Sequence, residues 1–207
     1  MTTTIYLVKH ADELKENGIK NINDTTQIMN EKYILSVKGE EQSKKLSESP
    51  ELNNIDVLWS SSYARAKATA KYIADRNNIE INIDSRLNER KLGNLEDVAK
   101  WMENKKYGVV QAYLQDKKWK AREGESCEEA TKRVTHFFNK ILKENHEKRI
   151  VLVSHGALIS FLLTNWCELT EEAKLIFNNK IIEIKEPSIT ELTFDNQKLV
   201  NIKAIEL

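Results

Sequence analysis

The strongest constraint on the fold is a pair of short apolar runs that do not alternate. Thr3–Val8 reads Thr-Thr-Ile-Tyr-Leu-Val, and Ile150–Val153 reads Ile-Val-Leu-Val. Successive side chains of a strand point to opposite faces, so each run is apolar on both. A strand of that kind must be covered on both sides, which predicts a parallel sheet between helical layers. Ile55–Trp59 and Ile79–Ile83 supply two further short strands. Both of the first two runs end in the same way. Lys9-His10 follows one, and Ser154-His155-Gly156 follows the other.

Helices are expected between and after these strands. Ser36 is placed to cap a helix over Val37–Glu48. A second helix runs over Ala64–Arg76, with Ala66, Ala70, Ile73 and Ala74 as its apolar stripe. Ser126 and Glu129 form a Ser-x-x-Glu capping box for a long helix to about Lys143. Ala157–Trp166 follows the His155 strand, and Thr170 caps a shorter helix through Phe177. Ala11–Lys32 is polar and aperiodic, and it reads as a long loop, which in a compact domain is usually functional. Arg86–Leu95 is irregular. Two short helices, Glu96–Glu103 and Val109–Asp116, fall in an insertion spanning about 94–123, with Trp101 and Trp119 as its core. Ser188–Phe194 and Lys198–Ile205 alternate around Asp195-Asn196-Gln197 and read as a hairpin. The expected architecture is a single-domain three-layer α/β/α sandwich over 1–207, with a mostly parallel central sheet and a small helical insertion.

Composition removes several function classes. The 32 basic and 32 acidic residues cancel, so no overall field gathers nucleic acid or anionic membrane. No apolar run approaches the roughly 18 residues that span a bilayer. The two cysteines, Cys127 and Cys167, are far apart and form neither a disulfide framework nor a zinc pattern. A cytoplasmic protein is expected, without nucleic-acid or membrane partners.

In a parallel α/β sheet, ligands bind beyond the carboxyl ends of the strands. His10 and His155 fall at that edge, Arg65 starts the helix after the second strand, and Glu89 follows the third. Two histidines with Lys9, Arg65 and a carboxylate suit phosphoryl transfer. A neutral imidazole can attack phosphorus and hold the group covalently. Cations stabilise the charge spread over the equatorial oxygens, and a guanidinium matches those oxygens with its planar fork. A carboxyl group can protonate the leaving alkoxide. Neither a metal nor a cofactor is needed. A serine hydrolase built on Ser154 is disfavoured, because Leu152 stands where a nucleophile elbow needs glycine.

The order of motifs resembles the histidine phosphatase superfamily, the phosphoglycerate mutase-like proteins, and within it the phosphatase branch. Ile5–Asp12 is similar to the family's strand ending in Arg-His-Gly. Leu35-Ser36-x-x-Gly39-x-x-Gln42 is similar to its next helix start. Ser60-Ser61-Ser62-x-x-Arg65-Ala66-x-x-Thr69-Ala70 is similar to its second arginine segment. Leu87-Asn88-Glu89-Arg90-x-x-Gly93-x-x-Glu96 resembles its general-acid segment. Gly124-Glu125-Ser126, Val153-Ser154-His155-Gly156 and Ser188-Ile189-Thr190 complete the order. The resemblance implies that His10 is the phosphorylated nucleophile and that His155 is the second pocket histidine. It further implies that Arg65 and Lys9 bind phosphate, and that Glu89 donates the proton, with Asp12 as a competitor. The implied activity is metal-independent hydrolysis of a phosphomonoester, a phosphorylated small molecule, by a monomer or homodimer.

Three residues depart from the family pattern. Lys9 replaces the first arginine and loses the two-pronged fork. Glu13 falls where a small hydroxyl residue is common, and Ser160 where many members carry a basic one. A pocket less cationic than usual leaves an alternative, a weakened or inactive phosphate-binding regulatory protein of the same fold. A phosphoglycerate mutase is disfavoured by the short connection from Glu89 to Gly124.

Overall fold

The computed structural model describes residues 2–14 and 27–207. The main sheet has six strands in the order β3-β2-β4-β1-β8-β9. They are β1 (Thr2–Lys9), β2 (Val57–Ser60), β3 (Ile81–Ile83), β4 (Arg149–Ser154), β8 (Ser188–Asp195) and β9 (Lys198–Ile205). The first four run parallel. β8 joins β1 antiparallel, and β9 joins β8 antiparallel. The hairpin turn is Asn196-Gln197, both with positive φ, the backbone twist that two-residue hairpins need.

The two apolar faces of β1 and β4 are each covered. Tyr6, Val8, Val151 and Val153 pack with Leu46 of α2 (Val37–Ser47) and with Ala66, Ala70 and Ile73 of α3 (Ala64–Asn77). Ile5, Leu7, Ile150 and Leu152 pack with Val134, Phe137 and Phe138 of α6 (Cys127–Glu144) and with Leu158 and Phe161 of α7 (Gly156–Leu163). The non-alternating runs therefore sit at the centre of an α/β/α sandwich, as expected. The Ser126–Glu129 capping box forms in both directions.

Several elements differ from expectation, β2 beginning at Val57 rather than Ile55 and β3 at Ile81 rather than Ile79. A short helix, α1 (Gln27–Lys32), occupies the end of the expected Ala11–Lys32 loop; residues 15–26 of that loop lie outside the described residues. α7 ends at Leu163 rather than Trp166. The helix expected from Thr170 through Phe177 does not form. Thr170 instead closes a tight turn, accepting from the Lys174 amide through its side chain, with Ala173 at φ +55. The chain then folds into a small antiparallel sheet of β5 (Glu168–Leu169), β6 (Leu175–Phe177) and β7 (Lys180–Ile182). Ile176, Ile181 and Ile182 are β-branched and favour that sheet.

The insertion carries α4 (Leu95–Met102) and α5 (Val109–Gln115). Trp101 and Trp119 stack at 3.9 Å, and Tyr113 meets both edge-on. Tyr113 is part of the main core on the α6 and α7 side of the sheet, and Trp101 and Trp119 pack against it, so the insertion extends that core rather than building a separate one. No helix among the described residues is long and apolar enough to cross a membrane.

Candidate active site

Sheet order alone brings the reactive side chains together. β4 lies between β2 and β1, with Lys9 opposite Ser154 and Ser60 opposite Val153. The residues just past these three strands therefore emerge side by side. They are His10, His155 and the Ser61–Arg65 segment.

His10 is only 4% exposed. Its Nδ1 lies 2.8 Å from the Ala11 carbonyl, and Arg65 Nε donates to its Nε2 at 3.0 Å. A carbonyl only accepts and a guanidinium only donates. The proton is therefore on Nδ1, and Nε2 is unprotonated, its lone pair accepting from Arg65. Burial, then the charge of Arg65, hold the His10 pKa down to about 3. The ring is neutral at neutral pH, the state a nucleophile requires.

His155 is fully buried as the N-cap residue of α7. Its Nε2 pairs with Ser61 Oγ at 2.8 Å and its Nδ1 faces Arg65 Nη2 at 3.3 Å. The same reasoning places its proton on Nε2. Its ring meets His10 edge-on at 5.0 Å. Burial first, then His10 and Arg65, push its pKa well below the ordinary histidine value.

Arg65 sits in the first turn of α3, 3% exposed, and bridges the two histidines. Its other contacts come from the segment after β1. Glu13 Oε2 lies 2.9 Å from Nε. The Asn30 carbonyl accepts from Nη1, and Asn30 Oδ1 accepts from Nη2 at 3.2 Å. Asn30 Nδ2 is buried without a hydrogen-bond partner.

The remaining expected residues surround this cluster. Lys9 Nζ pairs with Glu186 at 3.0 Å, and its stem passes Gly156 so closely that a Cβ there would sit 3.3 Å from Lys9 Cε. Glu89 lies over the start of α7, accepting from the amides of Ala157 and Leu158 at 3.2 and 3.1 Å, and from its neighbour Arg90 at 2.9 Å. A carboxylate is favoured at that helix end. Asp12 turns away, its carboxylate accepting from the Ser36 hydroxyl at the α2 cap. Neither carboxylate bonds to a pocket histidine.

The supporting motifs acquire physical reasons. Ser36 caps α2 through the Gly39 amide, and Gln42 Oε1 accepts from the Asp12 amide. Gly39 lets Asp12 approach, since a Cβ there would lie 2.1 Å from the Asp12 carbonyl. Thr69 Oγ1 accepts from the Ala11 amide at 3.1 Å and donates to the Arg65 carbonyl at 3.0 Å. Glu125 grips Arg133 with both oxygens, at 2.8 and 2.7 Å. Arg133 in turn donates to the carbonyls of Arg86 and Asn88, fixing the chain that carries Glu89.

Sequence reasoning singled out neither Asn30, Ser61 nor Asn88 as individual site residues. Asn88 Oδ1 accepts from Ser61 Oγ and from the Ser62 amide, so it orients the hydroxyl that orients His155. The triple serine and the Asn-Glu pair were its signals. Asn30 carries none, because its role depends on a fold-back 35 residues before Arg65. Arg90 was also not singled out; it is buried with its guanidinium 3.9 Å over Tyr113. An open groove of about 1070 Å³ lies between α2, residues 177–189 and β9, and neither His10, His155 nor Arg65 lines it.

Comparison with known proteins agrees with this architecture. The family model of the histidine phosphatase superfamily, branch 1, matches residues 5–204. A putative phosphoserine phosphatase 2 of Hydrogenobacter thermophilus is 28% identical, over 94% of this chain and 91% of its own. A probable phosphoglycerate mutase GpmB of Citrobacter koseri is 28% identical over 77% of this chain and 73% of its own. The solved structure of the mycobacterial glucosyl-3-phosphoglycerate phosphatase superposes with TM-score 0.70 at 19% identity, covering 99% of this chain and 97% of that one. The strand order, the paired histidines beyond β1 and β4 and the match along nearly the whole chain agree: this protein belongs to the histidine phosphatase superfamily.

Proposed function

We propose that the protein is a metal-independent phosphomonoesterase acting through a phosphohistidine on His10. The observation that carries this is the tautomer of His10. Its unprotonated Nε2 accepts from the Arg65 guanidinium, so a phosphoryl group that displaces this bond would find a nucleophile and a cation together. In the first step Nε2 attacks phosphorus, the P–O ester bond breaks, and the leaving alkoxide takes a proton from Glu89, which must carry that proton at this stage against the pull of the Ala157 and Leu158 amides. In the second, Glu89 takes a proton from the water that attacks the phosphohistidine, the P–N bond breaks, and phosphate leaves with the neutral imidazole and the Glu89 acid restored. Arg65 and Lys9 neutralise the charge on the phosphoryl oxygens. The segment from Glu89 to Gly124 holds only two short helices, so hydrolysis is favoured over a mutase cycle, which must keep water from its intermediate. Phosphatases among the relatives support the same class.

One observation favours the alternative of a phosphate-binding regulator. Both phosphate-binding cations are already paired with carboxylates, Arg65 with Glu13 and Lys9 with Glu186. Steady-state hydrolysis of an aryl phosphate in chelator, wild type against His10→Ala, separates the two. Turnover that survives chelator and vanishes in the variant supports the phosphatase. Phosphate binding without wild-type turnover supports the regulator.

A further inference from the structure

The Glu13 carboxylate occupies the place that a substrate phosphoryl group needs. Its Oε2 lies 2.9 Å from Arg65 Nε, and that same nitrogen lies 3.0 Å from His10 Nε2. Arg65 Nε carries one hydrogen. That hydrogen points to His10 Nε2, so the Glu13 contact is an ion pair with the same guanidinium edge; a phosphoryl group approaching His10 Nε2 needs that edge, and two anions cannot share it without strong repulsion. Glu13 therefore has to leave Arg65 when substrate enters.

The carboxylate cannot go far. Glu13 and Leu35 form an isolated antiparallel bridge. On either side of it, the Leu14 amide donates to the Ile34 carbonyl at 2.9 Å, and the Ser36 amide donates to the Asp12 carbonyl at 3.0 Å. The backbone is pinned at both sides, so only side-chain rotation is available. The Glu13 side chain is 21% exposed, so it already borders solvent at the pocket mouth. A displaced carboxylate stays within a side-chain length of the bound phosphoryl group and has lost its cation. Among the described residues, the other cation of the site, Lys9, is held by Glu186 at 3.0 Å. An uncompensated carboxylate beside a bound dianion is unfavourable unless the ligand supplies a positive charge.

We propose that Glu13 is the specificity-determining residue of this site: displaced from Arg65 by the phosphoryl group, it pairs with a cationic group on the leaving alcohol. The preferred substrates are then phosphomonoesters of amino alcohols, and esters carrying a second anion next to the phosphate are disfavoured. This selection rests on the phosphoryl-transfer reading of the pocket. A carboxylate facing the ligand acts on both sides of the choice, attracting the right partner and repelling the wrong one.

The test uses three probes of similar size: O-phosphoethanolamine, n-propyl phosphate and phosphoglycolate. They place an ammonium, a methyl or a carboxylate at the end of a short chain. Wild type is expected to show kcat/KM in that order, with phosphoethanolamine ahead of phosphoglycolate by about a hundredfold. Glu13→Gln keeps the shape and removes the charge. It is expected to bring the three within about threefold, and Glu13→Ser to do the same. An unchanged order in both variants, or a wild-type preference for phosphoglycolate, would overturn the proposal. Binding of the same three probes by calorimetry separates this from failure of the phosphatase reading. A protein that binds them in the expected order without turnover loses that reading and keeps the selection. Equal binding of all three by wild type overturns the selection whatever the turnover. Inorganic phosphate is the control for occupancy: its affinity should rise about tenfold in Glu13→Gln, and no rise would mean Glu13 does not compete for the phosphoryl position.

Discussion

The floor and the rim of the pocket are built on different principles. The floor is His10, His155 and Arg65, delivered by adjacent strand ends and a helix start, and almost wholly buried. Its hydrogen bonds fix proton positions as well as side chains. The rim is Lys9, Glu13, Glu89 and Glu186, partly exposed, with Lys9 paired to Glu186 and Glu13 paired down to Arg65 of the floor. Burial makes the floor rigid and keeps its imidazoles neutral. In the proposed mechanism the rim supplies the acid, Glu89, and a second cation, Lys9, while Glu13 joins the two layers through Arg65.

The largest effect is expected from breaking the floor. Arg65→Ala removes the guanidinium that touches both histidines, and should lower kcat/KM for an aryl phosphate about a thousandfold. Arg65→Lys should recover only part of it, since one ammonium cannot reproduce the fork. A loss of less than about tenfold for Arg65→Ala would show that the floor does not depend on this contact.

Gly39 tests how firmly the rim segment is held. An alanine Cβ would lie 2.1 Å from the Asp12 carbonyl, so Gly39→Ala should cost about 3 kcal/mol of stability in urea unfolding. A cost below about 0.5 kcal/mol would show that Asp12 and Glu13 move aside freely.

Acid titration separates floor from rim more subtly. The His10 pKa is held at about 3 in the folded protein, against about 6.5 in an unfolded chain. Between these values the unfolded chain binds a proton that the folded one refuses. Stability is therefore complete above about pH 6.5 and falls as pH drops toward 3. At pH 5 this amounts to about 2 kcal/mol for His10 alone. His10→Gln should lose that much less stability than wild type between pH 7 and pH 5, measured by denaturant unfolding at each pH. Parallel curves for the two would contradict a buried, neutral His10.

The smallest effects belong to the outer ion pair. Glu186→Gln frees Lys9 and should lower KM for an aryl phosphate about threefold, with little change in kcat. Lys9→Arg restores a fork and should raise turnover by a similar factor. A fall in turnover would mean that the pocket is fitted around lysine, with Gly156 packed on its stem.

Legibility from sequence follows the same division. The floor was readable because continuous apolar runs define central strands, and the residues after them are fixed by the strand ends. The capping box at Ser126 was readable because it is local. The expected helix at Thr170 failed although its cap signal was genuine: Thr170 and the acidic pair after it suit a helix start, but Ala173 turns the chain and burial of Leu175 and Ile182 favours a small sheet. The rim was the least readable. Glu13 stood out as an odd residue, yet its destination on Arg65 depends on the bridge to Leu35. Lys9 was identified as a cation without its partner, because Glu186 arrives from 177 positions later in the chain.

The central claim is that the unprotonated Nε2 of His10 takes the phosphoryl group. The direct measurement is an alkaline quench of the enzyme during aryl phosphate turnover, followed by peptide mass spectrometry under conditions that preserve phosphohistidine. The account predicts one phosphoryl adduct, on the peptide containing His10, absent from His10→Ala and still present in Glu13→Gln. Turnover with no adduct, or an adduct on the His155 peptide instead, would contradict it.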